Sequence, residues 1–463
     1  MAKRIESDTL GEMEIEEIAY WGAQTQRSLS NFCIGEEVFP KVFIQAFAIQ
    51  KMAAALANRG IFENQYVDAI VAAAHEIIEG KHDDQFPLSV WQTGSGTQTN
   101  MNINEVIANI ANERLGQPNK GSKDPIHPND HVNFGQSTND SFPTAMHIAI
   151  AIQSHKELLP GLEHFFKALE LKEKEFKNII KVGRTHLQDA TPITLGQVFS
   201  GYRAQVGHII HQVKRSLEDI YALAQGGTAV GTGLNTKATF IKRFVEEVGR
   251  ITALPFSSVH NKFAAIAAHD SIVGFSGVLN TAAAAFMKIS NDIRMLASGP
   301  RCGIGEIILP VNEPGSSIMP GKINPTQAEA MTMVAAQVMG NHVTVTIAGS
   351  NGHFELNAFK PVIIYNVLQS IRLLADVSYS FTDKCLVGIQ PNQEIIQKNL
   401  DRSLMLVTAL TPHVGYERAA EITKKAYEEN KTLKQAALEL SYIKNEEQFD
   451  LLVDPEKMVR LKV

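Results

Sequence analysis

A chain of 463 residues is too long for one ordinary hydrophobic core, so two or three domains are expected. Hydrophobic residues at 44% and charged residues at 20% describe a soluble globular protein, and a formal net charge of −6 without any basic stripe argues against a nucleic-acid partner. The three cysteines, Cys33, Cys302 and Cys385, are odd in number and far apart, which leaves no disulfide framework and no CxxC metal motif.

The opening stretch, MAKRIESDTLGE, is charged and has no apolar run, so no signal peptide is expected. Residues 1–60 mix polar turns with apolar segments and include WGAQTQRS at 21–28. Residues 43–58 and 67–79 pattern as helices, the second ending at Gly80. From Trp91, a loop at 94–97 precedes a helical stripe of Ile103, Val106, Ile107, Ile110 and Leu115. Asparagines at 100, 102, 104, 109 and 112 are frequent for a helix; they form either a solvated face or a polar lining. Thr99 stands where a third glycine would complete a dinucleotide fingerprint, which excludes that motif.

Residues 117–142 read as a long polar loop. His127 and His131 are four apart, but Pro128 argues against a helical metal pair. Residues 143–178 pattern as helix with an interruption at Pro160-Gly161, and 181–192 is a polar break before a helix running from about Pro192 to Ala224. His186, within that break, is either a satisfied structural histidine or a catalytic one. Residues 226–233, GGTAVGTG, lack the Lys-Ser/Thr of a phosphate-binding loop and predict a mobile glycine loop. A single Ala-rich helix is expected over 261–298; His269, Asp270, Ser271 and Asn280 interrupt its apolar part and argue against a membrane span.

Residues 311–337 concentrate the chemistry. Asn312, Pro314 and Gly315 form a turn, Ser316 and Ser317 stand side by side, and Lys322 follows a Met-Pro-Gly turn. Asn324 suits a helix cap and Pro325 the first turn, so two hydroxyls and an ammonium meet a helix N-terminus, a place for carboxylate oxygens. Helix resumes over 360–381. The charged tail from 391 contains a capping box at Thr432 to Gln435. Convincing strand alternation is scarce. The expected fold is mainly α, with a central bundle of long helices.

The run GSSIMPGKINP, residues 315–325, resembles the GSSxMPxKxNP signature of the aspartase/fumarase superfamily. The segments WGAQTQRS, TGSGTQTNMNINE, HPND, GRTHLQDATPITLGQ and ASGPRCGIGE bring the chain nearest to class II fumarases, from about Arg4 to the C-terminus. The resemblance implies a three-domain fold, divided here as 1–138, 139–390 and 391–463. It also implies a homotetramer whose active sites each draw on three subunits; a cytoplasmic location is expected from the cysteine pattern and the charged opening stretch. The implied reaction is the metal- and cofactor-independent hydration of fumarate to L-malate in the tricarboxylic acid cycle. By similarity Ser316 is the base, His186 the second catalytic residue and Glu329 its partner. Ser95, Gly96, Thr97, Ser137, Thr138, Asn139, Thr185, Ser317, Lys322 and Asn324 hold the dicarboxylate, and His127, Asn129 and Asp130 form an accessory dicarboxylate site. Thr138 replaces a usual serine, Phe134-Gly135 a more polar pair, and Asp124 a basic residue of some relatives. Aspartase is the rival reading, but aspartases carry Gln at the position of His186. A structural role of the kind one branch took up in the lens is the other.

Overall fold

Helices account for most of the computed structural model, which describes residues 2–460. A hairpin of β1 (Lys3–Asp8) and β2 (Gly11–Glu16) comes first, in register from Lys3 opposite Glu16 to Asp8 opposite Gly11. Helices α1 (Ala23–Asn31), α2 (Lys41–Ala57), α3 (Asn64–Ile78) and α4 (Thr97–Arg114) follow, the last three close to where periodicity put them. All five asparagines of α4 are buried. Asn102, Asn109 and Asn112 donate to the carbonyls of Gln85, Tyr20 and Ile126, so this face is a polar lining that ties loops to the helix. From the same helix, buried Glu105 accepts the amides of Gly22, Gln24 and Thr25, placing a carboxylate at the N-terminus of α1.

Helix α5 (Thr138–Gln153) starts five residues before the expected point. The cause is a capping box: Ser137 Oγ accepts from the amide of Asn139, and Asp140 accepts from that of Ser137. The expected interruption at Pro160-Gly161 is instead one π turn, Ser154–Leu158, between α5 and α6 (Leu159–Glu175). Proline lacks the amide that would bond one turn back, and the wider turn just before it absorbs the irregularity.

The polar break at 181–192 is a hairpin, β3 (Ile180–Thr185) against β4 (Gln188–Thr194), so α7 (Leu195–Ile220) begins slightly later than expected. After α8 (Ala238–Thr252), the helix expected over 261–298 is broken in two, α9 (Lys262–Ala267) and α10 (Asp270–Leu296). Ala268 is extended between them and His269 turns inward to burial. By length and composition alone α10 is apolar enough to cross a membrane, with half of its most apolar window buried. Helices α11 (Thr326–Gly349) and α12 (Lys360–Lys384) complete the long elements. On α11 the residues Ala328, Met331, Ala335, Val338, Asn341, Val345 and Ala348 make a buried stripe at three- and four-residue spacing. The C-terminal helices are α13 (Gln393–Arg402), α14 (Thr411–Val414), α15 (Tyr416–Glu428), α16 (Leu433–Glu439), α17 (Glu446–Leu452) and α18 (Pro455–Met458); Thr432 and Gln435 form the expected capping box.

Two compact units emerge. One comprises Met1–Gly161, Ile209–Ala284 and Val334–Asp376, the other Leu162–His208, Ala285–Met333 and Val377–Val463. Each division falls inside a long helix. In the first unit α10 meets α11 through Ser276 and His342, and α11 meets α12 through Asn341 and Ser370. In the second, Phe165 packs edge-on against Phe286 and Phe381, joining α6, α10 and α12.

Candidate active site

Two of the polar clusters lie at helix starts in the first unit. Gly96 precedes α4 with φ +83°, a backbone conformation that side chains rarely adopt. A Cβ there would stand 2.2 Å from ring carbons of Phe142, so glycine is required for space as well. The bend lets Ser95 and Thr97 share a hydroxyl–hydroxyl hydrogen bond of 2.9 Å at the first turn of α4, where the Thr99 amide donates to Gln92 Oε1 at 3.1 Å. Gly96→Ala is expected to cost about 2–4 kcal/mol from overpacking and strain, read as a lower thermal midpoint.

Ser137, Thr138 and Asn139 open α5. Asn139 Nδ2 donates to the carbonyl of Ala229 at 2.8 Å. Beneath them Asp140 is fully buried and accepts the amides of Gly226 and Thr228, both at 2.9 Å. The glycine loop expected to be mobile is thus tied to the base of this cluster. Burial pushes the Asp140 carboxyl up, against amide bonds that favour its charged form. Nearby, buried Lys51 donates to Asn133 and Gln136, and burial draws its ammonium down to about 7. Asp140 escaped the sequence reading, although the Ser-x-x-Asp spacing of the capping box signals it.

A single π turn, Pro128–Val132, is capped by His127, whose Nδ1 accepts the amides of Asn129 and Asp130. His131 Nδ1 accepts the amide of His127, and burial lowers the His131 imidazole. Both Nδ1 atoms therefore serve backbone donors.

The second unit carries the other two clusters. Thr185 and His186 sit at the exposed end of the β3–β4 hairpin, beside an open cleft of about 960 Å³ also lined by Arg184, Tyr202, Lys288 and Asp292. In the serine loop, Gly315 donates to the Lys322 carbonyl at 3.0 Å, and its own carbonyl accepts Asn324 Nδ2 at 2.5 Å. A Cβ on Gly315 would meet that Lys322 carbonyl at 2.3 Å. Asn324 therefore closes the loop rather than capping α11, and Pro325 supplies the first helical carbonyl, to Glu329. Within the loop Ser316 Oγ accepts the amides of Ile318 and Met319, at 3.3 and 3.0 Å. Ser317, Lys322 and Glu329 are exposed. Among the described residues, no ion pair joins His186 to Glu329 and no hydrogen bond joins Ser316 to Lys322.

The chain falls in the class of lyases: the family described as "Lyase" matches residues 11–340 and that described as "Fumarase C C-terminus" residues 406–460. The fumarate hydratase class II of Rickettsia conorii is 58% identical over 458 residues, 98% of either chain. The mitochondrial fumarate hydratase of Mus musculus is 60% identical over 459 residues, covering 98% of this chain and 90% of that one. The crystal structure of a class II fumarase from Schistosoma mansoni superposes with a TM-score of 0.97 at 45% identity, over 99% of both chains. The chain belongs to the class II fumarases, and it is an enzyme.

Proposed function

We propose that the chain catalyses the reversible hydration of fumarate to L-malate, with Ser316 as the base that takes the C3 proton of malate. The observation that carries the serine's role is the pair of amides, from Ile318 and Met319, directed at its Oγ. An unassisted hydroxyl is a poor base near neutral pH, and two donors favour its alkoxide. Loss of the C3 proton leaves a carbanion beside a carboxylate, accessible only as an aci-dianion held by donors already in place. Lys322, Asn324, Ser317 and loop amides take that charge. Ser95, Gly96, Thr97, Ser137, Thr138 and Asn139, at helix starts that favour anions, and Thr185, at the end of the β3–β4 hairpin, hold the rest of the dicarboxylate. His186, paired with Glu329 of another copy, passes a proton to the departing hydroxyl, which leaves as water.

The site is completed by assembly. The proposed particle is a homotetramer in which the stretches 93–142, 181–192 and 312–329 come from three copies; the exposure of Thr185, His186, Ser317, Lys322 and Glu329 in the single chain supports this. The domain division at 138 and 390, the accessory dicarboxylate site at His127, Asn129 and Asp130, a place in the tricarboxylic acid cycle and a cytoplasmic location belong to the same proposal. Purified protein should convert fumarate to malate, followed by loss of fumarate absorbance, without forming aspartate from fumarate and ammonia. Amination without hydration would reverse the reading in favour of an aspartase.

A further inference from the structure

The β3–β4 hairpin turns through two residues, His186 and Leu187, with φ of +55° and +62°. A two-residue turn with both centres left-handed is normally filled by Asn-Gly or Asp-Gly. With ordinary side chains it costs about 1–3 kcal/mol per residue, and it persists only where the surroundings enforce it. Leu187 is 72% exposed in the single chain, so packing within the chain does not enforce it. The restraint lies at the root.

Val182 of β3 is buried in the C-terminal core with Leu400, Leu406 and Ile422. Two positions on, Arg184 makes a fork of hydrogen bonds to Glu306, Nη1 to Oε2 at 3.0 Å and Nη2 to Oε1 at 2.7 Å. Lys181 Nζ lies 3.1 Å from the same Oε2, and Asn399 Nδ2 donates to Oε1 at 3.3 Å. The Glu306 side chain is wholly buried, and its backbone is tied at both ends, its amide to the Leu296 carbonyl and its carbonyl to the Asn392 amide, both at 2.9 Å. Burial alone would raise this carboxyl; Arg184 and Lys181 outweigh it and hold the group below the usual carboxylate range. One fixed anion thus receives two cations from the strand that leads into His186.

We propose that Glu306 is a positioning residue for His186, clamping β3 through Arg184 and Lys181 so that the strained turn keeps the imidazole aimed. The inference rests on the reading of His186 as catalytic. Without the clamp the turn relaxes towards ordinary backbone geometry and the imidazole loses its orientation, while the binding groups of the first unit stay in place.

The test is a double-mutant cycle on the assembled enzyme. Glu306→Gln keeps the shape and removes the charge; kcat should fall about 10–100-fold, with KM changed by less than about threefold. If Glu306 acts through His186, adding it to His186→Asn should slow the enzyme no further than His186→Asn alone. A merely structural role would instead reduce the assembled fraction, leave kcat per assembled site unchanged and add its loss in full to the double mutant. Arg184→Lys, which keeps the charge but not the fork, should give an intermediate loss of kcat, and it decides the matter if Glu306→Gln does not assemble. Undiminished kcat in Glu306→Gln or Arg184→Lys, with His186→Asn inactive, overturns the inference alone. Full activity in His186→Asn overturns the reading of His186 and the inference with it.

Discussion

Ser316→Ala should lower kcat about 10²–10⁴-fold, the range that a positioned base contributes, with assembly unchanged by size-exclusion chromatography. The loss should fall equally on kcat and kcat/KM, because a hydroxyl in the proposed role of base acts on the proton only in the transition state. The turn gives this substitution little structural cost: Oγ accepts two amides in an exposed loop whose closure depends on Gly315, Lys322 and Asn324. His186→Asn should fall in the same range, through loss of the proton donor to the leaving hydroxyl. A Ser316→Ala enzyme within threefold of wild type would place the base elsewhere in the chain.

Two inactive variants should restore one another. Ser316→Ala lies in the second unit and Asn139→Ala in the first, and on the proposed assembly a site takes these positions from different copies. Co-refolded at equal amounts, the two chains mix at random. A site is intact when the copy supplying residue 316 is the Asn139→Ala chain and the copy supplying residue 139 is the Ser316→Ala chain, so about one quarter of the sites recover. Two variants from one stretch, such as Ser316→Ala with Lys322→Ala, should restore nothing. No recovery from the first pair, in tetramers shown to be mixed, would mean that each chain builds its own site.

Much of the fold could be read from local patterns, and the failures share a cause. Helices α2, α3, α4 and α12 announce themselves by apolar periodicity, and the cap at Thr432 by its Gln435 partner. The β3–β4 hairpin was invisible because His186 and Leu187 are poor turn residues. The break at Ala268 was invisible because burial of His269, a tertiary demand, overrides a good helical sequence. The serine loop was legible because its turn formers are local. The Arg184–Glu306 clamp was not, since its partners are 122 residues apart.

A sequence selected only for durability would place Asn-Gly where His186-Leu187 stands and give up the strain. On the proposed role of His186, a bulky ring at the sharpest bend of the hairpin trades folding energy for aim. Robustness and speed are therefore opposed at this one corner of the molecule, and substitutions that calm it should accumulate in descendants that no longer turn over substrate.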